Sequence, residues 1–282
     1  MKKAILLLLI LLCMFASPAC AETALSSLFS EPVQEPVVTE TSYLSENMAI
    51  EITSLRAWDC DVYVADIHVR SAEQLQRAFA GGKWNGGTRK IAEIATENNA
   101  ILAITGDSAQ NFVSGWVVAN GEIQRDKLNR KRDLFVIWRD GSAQGFHGGE
   151  VTQEELEAQA DSMWQAFLFG PILLDEDGVA YMDFSESNVT NHNPRAAIGY
   201  YEPGHYCFVQ VDGRDTKSAL EQGARSQGMT LEELALFMEE LGCSAAYNLD
   251  GGRSAALWFN GKVISTQADS GRRIGDIVLL RE

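Results

Sequence analysis

Histidine and cysteine are sparse in this chain, with four and five copies among 282 residues. No His-Glu-x-x-His motif, no paired-histidine spacing and no Cys-x-x-Cys occur, so the sequence offers neither a standard zinc motif nor a redox dithiol. Positive charge is also short: 23 Lys and Arg stand against 39 Asp and Glu, a formal net charge of −16. A surface of that sign repels nucleic acid and anionic membranes at long range, so neither is an expected partner. An anionic ligand would have to be captured by a local group of arginines. Beyond the first residues no apolar run approaches the roughly 20 residues that a membrane-spanning helix needs. P-loop, dinucleotide and Gly-x-Ser-x-Gly patterns are missing, and there is no internal repeat.

What is present begins with a leader. Lys2 and Lys3 precede the apolar run Ala4 to Ala16, and Ala19-Cys20-Ala21 follows. A basic start, a short apolar centre and an Ala-x-Ala exit predict a secretory signal over 1–21, cleaved after Ala21. The expected location is therefore secreted or in the cell envelope, with a membrane attachment only if Cys20 carries a lipid. Residues 22–45 are polar and contain Pro32 and Pro36, which predicts a flexible linker. Residues 46–282 then read as one catalytic-size domain. Its three cysteines, Cys60, Cys207 and Cys243, are expected as buried apolar residues, a single disulfide being the lesser alternative.

Within that domain, Ala49 to Trp58 and Asp61 to Val69 alternate as strands do, and Ser71-Ala-Glu-Gln74 opens a short helix. Thr88 to Asn99 places Ile91, Ile94 and Ala95 on one helical face, and Ala100 to Gly106 follows as a buried strand. Trp116 to Ile123 and Leu134 to Phe146 carry Asn-Gly and Asp-Gly turns, the pattern of hairpins. Thr152-Gln-Glu-Glu155 and Thr230-Leu-Glu-Glu233 are capping boxes, and Gly242 is placed to stop the second helix. Further strands are expected at 205–211, 245–249, 255–259, 262–265 and 276–280. Strands outnumber helices, and the fold class is read as α+β: a mixed, largely antiparallel sheet with flanking helices.

Four segments set polar or charged groups at the ends of apolar strands: Thr105-Gly-Asp-Ser108, Asn193-Pro-Arg195, Asp212-Gly-Arg214 and Asp250-Gly-Gly-Arg-Ser254. Any one Asp-Gly is an ordinary turn former. Together the segments supply carboxylates (Asp107, Asp212, Asp250), arginines (Arg195, Arg214, Arg253) and bare backbone (Gly251, Gly252). His192 stands three residues before Arg195 and is the histidine nearest to them in sequence, although a structural or solvent-facing role is the stronger reading. Asp175-Glu-Asp-Gly178 lacks the later ligands of a calcium loop and reads as a hairpin turn.

Taken in order, Asn-Pro-Arg-Ala-Ala-Ile-Gly199, His205-Tyr-Cys-Phe-Val-Gln-Val-Asp-Gly-Arg214, Gly228-Met-Thr-Leu-Glu-Glu-Leu-Ala235 and Tyr247-Asn-Leu-Asp-Gly-Gly252 resemble the phosphodiester glycosidase family over roughly residues 90–270. The resemblance implies an exported hydrolase that splits the glycosidic bond of a sugar-1-phosphodiester, with a glycan or sugar phosphodiester as substrate. Breaking the C1–O bond leaves positive charge on the sugar and negative charge on the phosphate. Asp107 and Asp250, with Asp212 behind them, are the implied carboxylates at the anomeric carbon. Arg195 and Arg214 are the implied clamp on the phosphate, with Gly251, Gly252, Arg253, Ser254 and His192 around the substrate. No cofactor is required. A divalent cation held by Asp107, Asp212 and Asp250 belongs to an alternative, a metal-dependent phosphodiesterase. A non-catalytic envelope module binding phosphorylated glycan is the other. Thr105 stands where the family pattern has Asn, and Arg253 interrupts its run of glycines before Ser254.

Overall fold

Two ten-residue strands, β3 (Met48–Ala57) and β4 (Cys60–Val69), form the hairpin that the alternation of residues 49–69 predicts. They extend into a seven-stranded sheet ordered β1-β2-β3-β4-β13-β12-β14. Its other members are β1 (Val37–Val38), β2 (Ser42–Leu44), β12 (Arg195–Glu202), β13 (His205–Val211) and β14 (Ala245–Asn248). The computed structural model describes residue 29 and residues 35–214, 226–265 and 272–282; the expected leader 1–21 and Cys20 lie outside them.

Two five-stranded sheets pack with the first. One is ordered β10-β9-β11-β7-β8, from β7 (Gly115–Ala119), β8 (Glu122–Lys127), β9 (Leu134–Trp138), β10 (Ala143–Phe146) and β11 (Met163–Phe167). The other is ordered β16-β15-β6-β17-β5, from β5 (Leu75–Phe79), β6 (Leu102–Thr105), β15 (Leu257–Phe259), β16 (Lys262–Val263) and β17 (Asp276–Leu280). Three helices complete the described elements: α1 (Ile91–Glu97), α2 (Gln153–Gln159) and α3 (Leu231–Glu240). The α+β class holds, with three sheets in place of the single one expected. Among the described residues every pairing of named strands is antiparallel.

The large sheet is buried on both faces at β13 and the start of β12, where Tyr206–Val209 and Ala196–Ile198 are continuous apolar runs, whereas β3 alternates buried with exposed residues. One face carries Ala65, Ile67, Ile198, Tyr206 and Phe208, which pack with Leu102, Ile104, Phe135, Phe167, Leu257 and Val278 of the smaller sheets. The opposite face carries Val62, Val64, Ala197, Cys207 and Val209 against Leu231, Leu234, Ala235 and Met238 of α3. The Thr152 and Thr230 boxes are both formed, each Thr side chain accepting from the backbone N–H three residues on. Cys60, Cys207 and Cys243 are buried free thiols, with Cys207 Sγ and Cys243 Sγ 3.7 Å apart. The Asp175 segment is a turn, in which Asp175 N–H donates to Val179 O and Gly178 N–H to Asp175 O.

Two expectations need correction. Residues 37–44 are not a linker: Tyr43 is buried in the main core opposite Ile50, and its hydroxyl donates to Glu282 Oε1 at 3.0 Å. The Ser71 box is formed and the expected short helix is one 3-10 turn, Ala72–Gln74, but the chain then becomes a strand, β5, that is not among those expected from the sequence. Pairing with β17 over its whole length outweighs local helical preference there.

Candidate active site

The strand ends that carry polar residues meet at one edge of the fold. β6 ends in Thr105-Gly106-Asp107-Ser108, and Asp250, just past β14, donates its backbone N–H to Gly106 O at 3.1 Å. Gly106 leaves room for the Asp276 carboxylate, because a Cβ there would lie 2.2 Å from Asp276 Oδ2. Ser108 takes a left-handed backbone (φ 49°, ψ 32°), which turns its side chain back toward β14. Its hydroxyl donates to Asp250 Oδ2 at 2.6 Å. Arg272 Nη2 lies 3.2 Å from the same oxygen, and its backbone N–H donates to Arg253 O.

Asp250 leads into Gly251 and the 3-10 turn Gly252–Ser254, as the sequence suggests. Gly252 has φ +59°, and a Cβ there would meet Arg214 Nη2 at 2.6 Å, so the Arg214 guanidinium lies against bare backbone. Arg214 Nη2 also donates to Asn193 Oδ1 at 3.3 Å, and Gly252 N–H donates to Pro194 O at 2.7 Å. Three of the four polar segments therefore converge here, with the fourth represented by Ser108. Asp250, Gly251, Gly252, Arg214 and the exposed Arg253 come together as expected. Ser254 is buried, and its Oγ has no hydrogen-bond partner among the described residues; the same holds for Asn248 Oδ1.

Other expected residues are turned away. Asp107 is fully buried and faces Arg77, which also bonds Asp276 through Nε at 2.8 Å. Both Asp107 oxygens have donors, Oδ1 from Arg77 and Ala109 N–H and Oδ2 from Leu168 N–H at 2.8 Å. Asp276 in turn accepts from the Ser108 N–H through Oδ1 at 3.0 Å. Burial is the largest influence on Asp107, whose carboxyl is pushed up to about 6, with Arg77 pulling it down and Asp276 pulling it up. Burial also acts to lower Arg77, but the two carboxylates raise its pKa overall. This triad sets the turn that carries Ser108 and leaves Asp107 no face toward a ligand.

Arg195 is 2% exposed, and its fork is spent on backbone: Nε donates to Met229 O at 2.8 Å, and Nη2 to Val189 O and Asn191 O at 2.7 Å each. Burial lowers its pKa to about 10, so the guanidinium remains charged at neutral pH. It clamps the loop that holds Asn193 and Pro194 rather than an external phosphate. Asp212 is buried beside Gln210, whose Nε2 lies 3.4 Å from Asp212 Oδ1, and its N–H donates to Asp61 O. His192, half-exposed, lies 3.3 Å from Glu233 Oε2 on α3. Thr105 is a buried stitch, donating to Ser254 O at 2.5 Å and accepting from Ala256 N–H at 3.1 Å. Asp107, Asp212 and Asp250 do not form a shared ion-ligating group among the described residues.

Sequence reasoning missed Ser108's hydroxyl, Arg77, Asp276 and Arg272. One signal was available: Arg77 and Asp276 are charges of opposite sign inside apolar strands, and a buried charge needs a partner.

The arrangement pairs a recessed carboxylate with two guanidinium groups over a glycine turn, suited to a ligand with an anionic and a polyhydroxylated part. Comparison with known proteins agrees in family. The family model for phosphodiester glycosidases matches residues 94–281. The chain is 26% identical over 196 residues to the SPbeta prophage-derived uncharacterized protein YomE of Bacillus subtilis, covering 64% of this chain and 27% of that protein. It is 24% identical over 202 residues to N-acetylglucosamine-1-phosphodiester alpha-N-acetylglucosaminidase of Bos taurus, covering 63% of this chain and 34% of the bovine protein. The match thus spans about a third or less of either relative. The solved catalytic domain of the zebrafish N-acetylglucosamine-1-phosphodiester alpha-N-acetylglucosaminidase, auto-inhibited by its pro-peptide, superposes with a TM-score of 0.64 at 19% identity, covering 89% of this chain and 87% of that one. A hypothetical protein from Synechocystis shares the fold at a TM-score of 0.57 and 14% identity, over 84% of this chain and 63% of that one. With a family match over most of its length and the strand-end motifs gathered at one edge, the chain belongs to the phosphodiester glycosidase family.

Proposed function

We propose that the protein hydrolyses the C1–O bond of a sugar-1-phosphodiester outside the cytoplasm, with an N-acetylglucosamine-1-phosphodiester as the substrate class suggested by the names of its relatives. The observation that carries this reading is the Asp250 carboxylate, held by Ser108 Oγ and Arg272 at the head of a glycine turn with Arg214 against Gly252. The C1–O electron pair leaves with the phosphate and a water oxygen bonds to C1, releasing its proton to solvent, while Asp250 faces the sugar and stabilises the positive charge that grows at C1. Arg214 and Arg272 receive the departing phosphate, where a guanidinium can donate two parallel hydrogen bonds to two oxygens. Gly251 and Gly252 let the backbone approach the substrate without a side chain between. Arg253 and Ser254 border the same turn, and His192 lies on the loop that Arg195 clamps. Asp107 and Arg195 act as positioning residues, Asp107 through the Ser108 turn and Arg195 through Asn193. The basic and apolar leader at 1–21 supports export.

The test is hydrolysis of an N-acetylglucosamine-1-phosphodiester with a chromogenic aglycone, wild type beside Asp250→Asn and Arg214→Ala. Free sugar is expected from wild type, with turnover by Asp250→Asn reduced by a factor on the order of 10³ and KM raised about tenfold or more by Arg214→Ala. Sugar phosphate as the product would mean P–O cleavage and would favour a metal-dependent phosphodiesterase. Equal turnover by wild type and both variants would refute the assignment of roles.

A further inference from the structure

Two of the four histidines face each other at the far end of the large sheet. His68 on β4 and His205 on β13 are register partners, and their rings stack with centroids 3.9 Å apart and planes 18° from parallel. Asp66 precedes His68 by two residues and so shares its face of the strand. Its carboxylate reaches both rings, with Oδ1 2.7 Å from His205 Nε2 and Oδ2 3.7 Å from His68 Nδ1. Tyr201 stacks on His205 as well, at 4.2 Å and 24°, which restrains rotation of the imidazole.

From this geometry we propose that Asp66, His68 and His205 form a binding site for a divalent first-row transition-metal ion, of which Zn²⁺ is the representative. One donor atom from each side chain lies within 4.8 Å of the others. Bonds of about 2.0–2.2 Å to nitrogen and oxygen place ligand atoms roughly 3–4 Å apart around an ion. Because the stacked rings point their lone pairs nearly parallel, one imidazole, His68, which Tyr201 does not hold, has to turn toward the ion; the strands need not move. Two imidazoles with one carboxylate favour zinc, copper or nickel over calcium or magnesium, which prefer oxygen alone. The side chains are part-exposed, at 18% for His68, 21% for His205 and 44% for Asp66, so an ion can enter from solvent.

The site is distinct from the Asp250 edge. His205 opens β13, whereas Val211 closes it opposite Arg195, and six steps of about 3.3 Å separate the ends by roughly 20 Å. An ion there would tie β4 to β13 beside Tyr201, a stabilising clasp with no part in hydrolysis.

The experiment uses the full chain without a polyhistidine tag, stripped by chelator and titrated with Zn²⁺ in a calorimeter and in a thermal melt. One equivalent bound at micromolar concentration is expected, with a higher Tm and no matching shift from Ca²⁺. His68→Gln, His205→Gln and Asp66→Asn should each weaken binding about tenfold or more, while His147→Gln, whose ring lies beside Asp133, should leave it unchanged. No heat and no Tm shift with wild type would overturn the proposal. So would Zn²⁺ binding that survives the His68→Gln/His205→Gln double variant.

Discussion

At the scale of single residues, the division of labour between Asp107 and Asp250 rests on their neighbours. Asp250 keeps an edge toward solvent and accepts one neutral and one charged donor, whereas Asp107 is enclosed with Arg77 and Asp276. Loss of the Ser108 hydroxyl removes a hydrogen bond to a carboxylate, worth about 1.5–3 kcal/mol when lost. Ser108→Ala should therefore lower kcat by roughly 10- to 100-fold and lower the melting temperature by several degrees, with the variant still folded; an unchanged kcat in the folded variant would remove Ser108 from the site. Asp107 yields a prediction in pH. Its carboxyl titrates near 6 when folded against 3.8 as the ordinary value, so the folded state holds the proton more tightly. Its contribution favours folding fully below about pH 4 and is lost as pH rises through 6, a change of at most about 3 kcal/mol at about 1.36 kcal/mol per unit. The stability of wild type minus that of Asp107→Asn should fall between pH 4 and pH 7 in urea titrations. A difference that stays flat or rises would mean the carboxyl is not raised.

At the scale of elements, α3 shows how a surface helix is held to the large sheet by its apolar face. Its capping box at Thr230 satisfies free amides at the start, and Leu231, Leu234, Ala235, Phe237 and Met238 pack toward the large sheet. Burial of such side chains is worth about 1.5–3 kcal/mol each, so packing exceeds intrinsic propensity in a ten-residue helix. Leu234→Ala should cost about 2–5 kcal/mol in denaturant unfolding, while kcat and KM well below the transition stay at wild-type values. A comparable loss of kcat in the folded variant would place α3 in the catalytic machinery. Similar logic explains β12 and β13: buried on both faces, they carry Arg195 and Asp212 to the same edge, but they also bury those side chains.

For the whole molecule, the charge of −16 acts on the compact state through self-repulsion, since folding brings like charges together. Raising NaCl from about 10 to 150 mM shortens the screening length from about 30 to 8 Å and should raise the Tm. A Tm that falls over this range would show that attractive pairs such as Arg56–Asp61 outweigh the net repulsion. Under the proposed function, the same charge would leave capture of an anionic substrate to Arg214 and Arg272, of which Arg272 lies 3.2 Å from Asp250 Oδ2.

What the sequence determined by itself was largely local. The Thr152 and Thr230 boxes, the hairpin at 48–69, the buried face of Ile91, Ile94 and Ala95, and the turn at Asp250-Gly-Gly all depend on residues a few positions apart, where chain geometry limits the choices. The ordered motifs around Arg195, Asp212 and Asp250 also made the family legible. Tertiary structure alone decided which of these charges face outward. Arg77 finds Asp276 across 199 residues, and Arg195 finds the Met229 carbonyl across 34. It also drew residues 37–44 into the sheet and set His68 against His205. The reason is energetic: a hydrogen bond within a turn is available to the unfolded chain, whereas the partner that offsets the burial of a charge exists only once distant strands have met.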